Sequence, residues 1–438
     1  MSRIALKPLP WRDPIEAFAP FAEEPFALLL LSAGGPGARW SYLARGPDLI
    51  ERVGPADADP DFRRLRALLG PHAPNIPDGP PFQGGVAGLI AYEFGDRIER
   101  FGLARDPDWP DMTLARYDAL LAFDHATRTL WSVRRGGAGD PAAWLDAPAP
   151  SPRESIKAIS DPAPPALAYE AAVRDVVARI LAGEIFQANI ARVWSGRLAA
   201  GAAPFEVFRR LQGENPAPFC AYWRLPGAAI VSHSPERFVS IGADGRSVET
   251  RPIKGTRPRG VDACEDERLK AELVASAKDR AENLMIVDLM RNDLSRVCEP
   301  GSVRAPDLFA VESYPSVHHL VSTVTGRLAA GRDAADLLAA AFPPGSITGA
   351  PKIQAMKVIA GHEGPRGPWC GSLFWAGFDG ALDSSVLIRT AAFVEDARGW
   401  RFRALAGAGI VADSDPVAER LETEAKIAGL AHALGGCP

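Results

Sequence analysis

Two apolar runs and a helical pattern at the end of the chain indicate the fold class most clearly. The runs are SSVLIRTAAFVE (384–395) and WRFRALAGAGIV (400–411), and they are followed by DPVAERLETEAKIAGLAHAL (415–434). Short apolar runs of this kind predict two strands, and the last segment predicts a helix from 416 to about 434. Strands in groups, interrupted by helices without strict strand–helix alternation, predict an α+β fold.

The same organisation continues toward the N-terminus. Short apolar runs separated by Gly and Pro turns predict strands and hairpins from about 26 to 134. A Pro- and Ala-rich segment follows. We therefore predict an N-terminal region at 1–145, a linker at 146–166 and a second domain at 167–436. Further helices are expected at about 168–183, 266–289 and 351–360.

Composition restricts the class of function. The 438 residues include 49 Lys and Arg against 54 Asp and Glu, a formal net charge of −5. No basic excess is available to bind nucleic acid or an anionic membrane surface. The longest apolar run, 26–31, is too short to span a bilayer, and the first residues do not form a signal peptide. Five scattered cysteines without a C-x-x-C pair are typical of reduced thiols, so we expect a cytoplasmic protein.

Two predicted helices each carry a pair of carboxylates on one face. Asp279 and Glu282 are three residues apart on the first. Glu419 and Glu422 repeat that spacing on the last, and Lys426 follows one turn later. Such pairs offer the oxygen ligands that Mg²⁺ prefers, with positions left for water and an anionic substrate. Acidic pairs are also frequent on solvated helix faces, and spacing alone favours that interpretation.

Three further residues are candidates for chemistry on a carboxylate. Lys254, in RPIKGTRPRG (251–260), has apolar neighbours, and burial would help it lose its proton and act as a nucleophile. Glu236 follows a proline near a strand, so a rigid carboxyl there could be a general acid. Arg389, in the predicted strand VLIRT, could grip a carboxylate with two hydrogen bonds. A solvated side chain is the commoner alternative for the lysine and the glutamate.

Histidines and glycine-rich segments add weaker signals. His318 and His319 alternate across a predicted strand, so only one of them can face a site. The segments 343–352 and 406–411 could present backbone N–H groups to an anion, but neither matches a P-loop or a dinucleotide-binding motif. The residues by themselves indicate an Mg²⁺-dependent enzyme that acts on a carboxylate.

Several motifs occur in a fixed order between about 168 and 434. They are GEIFQANIAR (183–192), ENPAPFCAYW (214–223), SPERFVS (234–240), RPIKGTRPRG (251–260), KDRAENLMIVDLMRNDLSRVCEPGSV (278–303), VHHLVSTVTGRL (317–328), PPGSITGAPKIQAMKVI (343–359), LIRT (387–390) and GAGIVADSDPVAERLETEAK (407–426). Together they resemble the chorismate-utilising enzymes, which include anthranilate, aminodeoxychorismate, isochorismate and salicylate synthases. The resemblance implies a two-sheet antiparallel β-sandwich core surrounded by helices. It also implies that 1–145 is an anthranilate-synthase-component-I-like region and 167–436 the chorismate-binding catalytic domain.

The resemblance also implies residue roles. Glu236 is similar to the general acid that protonates the departing 4-hydroxyl, and His319 to the histidine beside the ring. Mg²⁺, the implied cofactor, would hold the ring carboxylate through Glu282 and Glu422 directly and through Asp279 and Glu419 by way of water. The positions similar to substrate-binding residues are Arg389, Gly407, Gly409, Lys426, Ser346, Thr348, Gln187 and Thr256.

Two positions favour one branch of the family. Water-adding members carry a lysine where this chain has Gln187, so ammonia is the expected co-substrate. Lys254 lies in P-I-K-G-T, as in aminodeoxychorismate synthases, whereas anthranilate synthases usually have P-I-A-G-T. A lysine can attack C2 and expel the 4-hydroxyl before ammonia enters at C4. The implied product is 4-amino-4-deoxychorismate, for p-aminobenzoate and folate synthesis. The alternatives are an anthranilate synthase component I and a non-catalytic chorismate-binding relative.

Two absent motifs carry further expectations. The G-x-C-x-G setting of a glutaminase nucleophile does not occur in the sequence, so ammonia is expected from a separate glutamine amidotransferase subunit. The L-L-E-S signature that relatives use in an amino-acid pocket reads L-L-L-S at 29–32, with Leu31 in place of glutamate. We therefore expect weak or absent tryptophan binding.

The family tyrosine of R-G-x-Y-x-G is replaced by Trp369.

Overall fold

The structure, a computed structural model, describes residues 3–32, 38–57, 62–148, 150, 157–214 and 217–435. Its strands are β1 (Ile4–Leu9), β2 (Leu28–Leu31), β3 (Trp40–Ala44), β4 (Leu49–Val53), β5 (Gly85–Ile90), β6 (Met112–Tyr117), β7 (Ala119–Asp124), β8 (Thr129–Arg135), β9 (Ala158–Ser160), β10 (Gln187–Leu198), β11 (Phe219–Leu225), β12 (Ala228–Ser234), β13 (Arg237–Ile241), β14 (Ser247–Thr250), β15 (Ile253–Pro258), β16 (Arg304–Ser313), β17 (Val317–Arg327), β18 (Gly349–Ala350), β19 (Ser372–Gly377), β20 (Leu382–Val386), β21 (Thr390–Asp396) and β22 (Gly399–Ile410). Its helices are α1 (Pro14–Phe18), α2 (Arg63–Leu69), α3 (Gly95–Glu99), α4 (Ala166–Leu181), α5 (Pro204–Glu214), α6 (Ala263–Ala275), α7 (Ala277–Ser295), α8 (Ala334–Ala341), α9 (Lys352–Ala360) and α10 (Pro416–Ala433).

The described strands form two antiparallel sheets. The first has the order β1-β8-β7-β3-β2-β11-β12-β21-β22-β10-β18, with β9 paired to β10. The second has the order β15-β17-β14-β13-β20-β19-β5-β6-β4, with β16 paired to β17. This arrangement, with helices around it, confirms the predicted α+β fold with a two-sheet antiparallel core.

The N-terminal region and the remainder of the chain share both sheets. In the first sheet β2 pairs with β11, so that Leu31 lies opposite Cys220. In the second sheet β5 pairs with β19. The regions 1–145 and 167–436 are therefore joined by continuous strand pairing rather than by surface contact alone.

The space between the sheets is filled by aromatic and aliphatic side chains from both. Trp223 of β11 and Tyr117 of β6 are fully buried, and the indole Nε1 donates a hydrogen bond to the Tyr117 hydroxyl at 3.3 Å. That hydroxyl donates in turn to the carbonyl oxygen of Phe26 at 2.7 Å. Burial of this apolar surface holds the sheets together, and the hydrogen bonds satisfy the two buried polar atoms.

Helices cover the outer faces of both sheets and bring acidic side chains to the site. Helices α4, α9 and α10 pack on β10 and β22 of the first sheet, whereas α7 packs on β17 of the second.

Within the described residues, no helix is both long and apolar enough to cross a membrane.

The helix predicted at 266–289 is two helices, α6 and α7, separated at Ser276. Ser276 has an extended backbone, and its hydroxyl accepts a hydrogen bond from the N–H of Asp279 at 3.2 Å. This is an N-cap, which satisfies one of the free N–H groups at the start of a helix. The break depends on this single side-chain cap, which the helical pattern of 266–289 did not reveal.

The strand predicted at 384–395 is also two strands, and they belong to different sheets. β20 lies in the second sheet and β21 in the first. Arg389, predicted to lie within a strand, is in the connection between them and has a left-handed backbone with φ +52°. The apolar run is continuous because both strands are buried, which conceals the change of sheet.

Part of the predicted linker at 146–166 is paired with the sheet. β9 runs antiparallel to the end of β10. Residues 149 and 151–156 lie outside the described residues.

Candidate active site

A cavity of about 740 Å³ lies where both sheets meet α7 and α10. This volume is in the range of small-molecule sites. The predicted site residues that line it are Glu236, Lys254, Thr256, Asp279, Glu282, His319, Ser346, Arg389, Gly407, Gly409, Glu419, Glu422 and Lys426. Two predicted residues do not line it. Thr348 is buried and its hydroxyl donates to the carbonyl oxygen of Pro344 at 2.8 Å, and Gln187 is buried next to Gly409.

Helices α7 and α10 present their carboxylates to one side of this cavity. Asp279 and Glu282 lie in the first two turns of α7, and Glu419 lies in the first turn of α10. Ser414 Oγ donates a hydrogen bond to Glu419 Oε1 at 2.6 Å. Lys278 Nζ is 3.9 Å from Glu282 Oε1 and 3.9 Å from Glu419 Oε1. The two helices thus converge on a place that attracts a cation.

The pKa values of these carboxyls reflect burial and crowding. Burial raises the pKa of both Glu282 and Glu419, and repulsion from Glu422 adds to the effect. Burial acts on Glu422 in the same direction, but the ammonium of Lys426, 2.6 Å from Glu422 Oε1, lowers its pKa overall. A divalent cation would relieve this repulsion, and the donor set is all oxygen, as Mg²⁺ prefers. Within the described ranges no three such side chains are close enough to hold a metal by themselves, so water and substrate oxygens would have to complete the coordination.

Lys254 projects into the cavity from β15. Its ammonium nitrogen makes no hydrogen bond or ion pair in the described part of the chain. The nitrogen is 3.1 Å from the position that a Cβ on Gly409 would occupy. Burial lowers the pKa of Lys254, although attraction to Glu282 and Glu236 opposes this. A lysine held in this way loses its proton more easily than an exposed one, which a nucleophile requires.

Glu236 lies in the connection between β12 and β13, and only 5% of its surface is exposed. Burial raises the pKa of Glu236 to about 7, although a hydrogen bond from Ser346 and attraction to Lys254 act against the rise. The carboxyl is therefore partly protonated near neutral pH. A general acid needs a proton available at the working pH, so the environment of Glu236 is suited to that role.

The raised pKa of Glu236 predicts a pH-dependent gain of stability on replacing it with glutamine. The folded protein binds the Glu236 proton more tightly than the unfolded chain does. The wild type therefore loses stability as pH rises from about 4.5 to about 7. Glu236→Gln removes that loss and should raise the free energy of unfolding by about 3 kcal/mol near pH 8, but far less near pH 5. Denaturant unfolding at both pH values measures this, and an equal difference at the two would contradict it.

Arg389 faces the cavity with an unpaired guanidinium. Within the described part of the chain its side chain makes no hydrogen bond or ion pair. Burial lowers its pKa and attraction to Glu422 opposes this, but an arginine remains charged. Its left-handed backbone is costly for a residue with a side chain, and such strain is concentrated at functional sites. A charged, unpaired arginine in a cavity is suited to bind a carboxylate.

The two neighbouring histidines of β17 have different surroundings. His319 lines the cavity, and its Nδ1 is 2.9 Å from Thr256 Oγ1. Burial, with repulsion from Arg389, lowers the pKa of His319 to about 4, so the ring is neutral at neutral pH. His318 points away and its Nε2 is 2.9 Å from Asp266 Oδ1. A neutral His319 can contact a substrate ring without adding positive charge.

Gly407 and Gly409 of β22 leave space for side chains of the neighbouring β10. A Cβ on Gly407 would lie 2.4 Å from Asn189 Oδ1 and 3.1 Å from the Trp369 ring. A Cβ on Gly409 would lie 2.4 Å from Gln187 Nε2. Real Cβ atoms do not approach so closely, so the local packing requires glycine at both positions.

Comparison with known proteins places this site in a family. A model of the family of chorismate binding enzymes matches residues 37–432. The chain belongs to this family. It is a chorismate-utilising enzyme, and the family resemblance seen in its motifs is confirmed.

Relatives within the chorismate binding enzymes include both aminodeoxychorismate synthase and anthranilate synthase components. Aminodeoxychorismate synthase component 1 of Klebsiella aerogenes is 39% identical over 461 residues, which cover 98% of this chain and 99% of that protein. Anthranilate synthase component 1 of Streptomyces coelicolor is 40% identical over 442 residues, which cover 94% of this chain and 84% of that protein. The crystal structure of anthranilate synthase component I from Streptococcus pneumoniae has a TM-score of 0.78 at 29% identity and covers 90% of this chain and 92% of that one.

Sequence reasoning did not single out two residues in the cavity of this chorismate binding enzyme. Asn189 lines the cavity, and its side chain shares a strand face with Gln187, two residues before it. Lys278 lies between Glu282 and Glu419. The period-2 pattern of a strand could have indicated Asn189, whereas no local pattern predicts that two distant helices place carboxylates around Lys278.

A second cavity, of about 250 Å³, lies between the sheets and is lined by Leu31. Two carboxylates reach it, and both are paired with arginines. Asp383 accepts hydrogen bonds from Arg237, and Glu312 accepts one from Arg251. Among the described residues, the cavity therefore offers no unpaired carboxylate to the α-amino group of an amino acid.

We predict that the wild type does not bind tryptophan at micromolar concentration. A buried ammonium without a charged partner is costly, and Leu31 cannot supply one. Leu31→Glu should increase the affinity. Isothermal titration of both proteins with tryptophan measures this, and micromolar binding by the wild type would refute it.

Proposed function

We propose that the chain is the synthase component of an aminodeoxychorismate synthase, which converts chorismate and ammonia to 4-amino-4-deoxychorismate for p-aminobenzoate and folate synthesis. The observation that carries the proposal is Lys254, an unpartnered amine of lowered pKa inside the cavity. The identity with the Klebsiella aerogenes protein over nearly the whole of both chains supports it.

Chorismate carries two carboxylates, and the cavity has two suitable regions. The unpaired Arg389 and the backbone of Gly407 to Gly409 suit the enolpyruvyl carboxylate. The acidic faces of α7 and α10 would hold Mg²⁺, with Glu282 and Glu422 as direct ligands and Asp279 and Glu419 acting through water. The metal, when bound, would neutralise the ring carboxylate that otherwise repels these acids.

The chemistry proceeds in two displacements. Lys254 Nζ bonds to C2, both conjugated ring double bonds shift by one position, and the C4–O bond breaks as Glu236 gives its proton to the departing hydroxyl, which leaves as water. Ammonia then bonds to C4, both double bonds shift back and the C2–N bond breaks, which frees the amine of Lys254. Glu236 recovers a proton from the amine. The net reaction replaces the 4-hydroxyl with an amino group and keeps the enolpyruvyl group.

The ammonia requires a source. We propose that a separate glutamine amidotransferase subunit supplies it, in line with the name "component 1" of the relatives and with the missing glutaminase motif. Free thiols at Cys220, Cys264, Cys298 and Cys370 suit a reducing cytoplasm, where we propose that the enzyme works.

The second candidate is an anthranilate synthase component I. The identity with the Streptomyces coelicolor enzyme and the fold shared with the Streptococcus pneumoniae structure favour it. In that case ammonia would attack C2 directly and pyruvate would be lost. Lys254 would contribute its positive charge but would not act as a nucleophile.

The test is incubation of the purified chain with chorismate, Mg²⁺ and ammonium, with products separated by chromatography and identified by mass. The proposal expects 4-amino-4-deoxychorismate from ammonium, and none from glutamine without the partner subunit. Anthranilate would establish the second candidate. Chorismate binding without turnover would show a non-catalytic relative.

A further inference from the structure

Three polar atoms on one face of β10 are buried without partners. Gln187 is 1% exposed, and both its Oε1 and its Nε2 lack a hydrogen bond in the described part of the chain. Asn189, two residues later, is 8% exposed, and its Oδ1 likewise lacks a partner. Leaving a buried polar atom without a partner is destabilising, so several such atoms at one place indicate a bound group.

The surroundings of these amides limit the size of that group. Gly409 and Gly407 of β22 lie beside them, and a Cβ on either would come within 2.4 Å of an amide atom. Lys254 Nζ and Gln187 Nε2 both lie within 3.1 Å of the Cβ position of Gly409. Asn189 and Lys254 line the cavity, whereas Gln187 is buried beside Gly409 and does not line it. Because a Cβ on Gly407 would already collide with the Asn189 oxygen, only a group of very few atoms can bind there.

We propose that Asn189 positions the nucleophile: its side-chain carbonyl accepts an N–H hydrogen bond from ammonia beside the reacting carbon. The inference rests on the proposed amination of chorismate, but not on which ring carbon receives the nitrogen. Asn189 is a residue that the sequence motifs did not single out.

The chemistry of ammonia explains why amides are suited to this place. Ammonia has three N–H donors and one lone pair, and the lone pair must remain free to attack carbon. Amide oxygens accept N–H groups and do not donate to the lone pair. A carboxylate would attract ammonium, which has no lone pair, whereas a neutral amide does not stabilise that cation by charge.

Trp369 borders the same corner of the cavity and provides a contrast. Its Nε1 is buried without a partner in the described residues, and its ring lies beside Gly407. The indole N–H is only a donor, so it suits a substrate oxygen and not the N–H groups of ammonia. Two unpartnered side chains in one corner thus have opposite hydrogen-bonding roles.

The experiment measures chorismate consumption as a function of ammonium and of chorismate in the full chain with Mg²⁺. Asn189→Leu keeps the size of the side chain and removes the acceptor. We expect the KM for ammonium to rise at least about tenfold, as the loss of one hydrogen bond implies, with the KM for chorismate changed less than about twofold. Trp369→Phe should do the reverse, raising the KM for chorismate and sparing that for ammonium.

A second variant keeps the test informative if Asn189→Leu folds poorly. Asn189→Asp retains an acceptor oxygen and adds a charge, so the KM for ammonium should stay near the wild-type value while kcat falls, because ammonium is held in place of ammonia. An unchanged ammonium KM in Asn189→Leu, or a KM for chorismate that rises as much as that for ammonium, would overturn the inference. Unchanged kcat and KM in Asn189→Asp would also overturn it. The identity of the product, determined in the same samples, tests the proposed function separately.

Discussion

Replacing Lys254 by alanine is expected to lower kcat/KM for 4-amino-4-deoxychorismate formation by about 10³-fold or more, as the loss of a covalent nucleophile does in other enzymes. Alanine cannot attack C2, so the route that delivers nitrogen to C4 is lost. Residual turnover would place ammonia at C2 and lead to anthranilate. Steady-state kinetics with both products quantified measures this change.

Lys254→Arg is the matched control for this prediction. Arginine keeps the positive charge but does not lose its proton near neutral pH. If Lys254 acts as a nucleophile, the arginine variant should be about as inactive as the alanine variant while still binding chorismate. Recovery of activity in Lys254→Arg would mean that the lysine contributes only charge.

Glu236→Gln should reduce kcat by about 10²- to 10⁴-fold, the usual contribution of a general acid. Glutamine keeps the size of the side chain but has no acidic proton for the departing hydroxyl. In the wild type, the part of the rate that depends on this proton should fall as pH rises through about 7, the raised pKa of Glu236. After correction for the concentration of free ammonia, the pH–rate profile of the wild type should have this descending limb. The profile of Glu236→Gln should lack it.

Ser346→Ala is the companion variant. Ser346 hydrogen-bonds to the Glu236 carboxyl and lowers its pKa. Removing the hydroxyl should raise that pKa further and move the descending limb of the pH–rate profile to higher pH. A limb that persists unchanged in Glu236→Gln would assign the titration to another group.

Much of the fold and of the site could be predicted because the responsible patterns are local. Alternating and continuous apolar runs gave the strands, and i,i+3 spacing gave the carboxylate pairs of α7 and α10. The motif order then indicated that the two pairs belong to one site. These predictions needed only short-range periodicity or a family resemblance.

What could not be predicted depends on contacts between distant parts of the chain. The change of sheet at Arg389 is hidden because both flanking strands are buried, so their runs look alike. The break at Ser276 is a single side-chain cap inside a helical period. The role of Asn189 depends on Gly407, which is more than 200 residues away and becomes its neighbour only through the pairing of β10 with β22.

Whether the lysine in this cavity directs nitrogen to C4 can be determined by locating the nitrogen in the product. Wild-type enzyme is incubated with chorismate, Mg²⁺ and ¹⁵N-ammonium, and the labelled product is analysed by NMR. If Lys254 acts as the nucleophile, ¹⁵N will be bonded to C4 of a ring that keeps its enolpyruvyl group. Nitrogen bonded to C2 of a product that has lost pyruvate would contradict it.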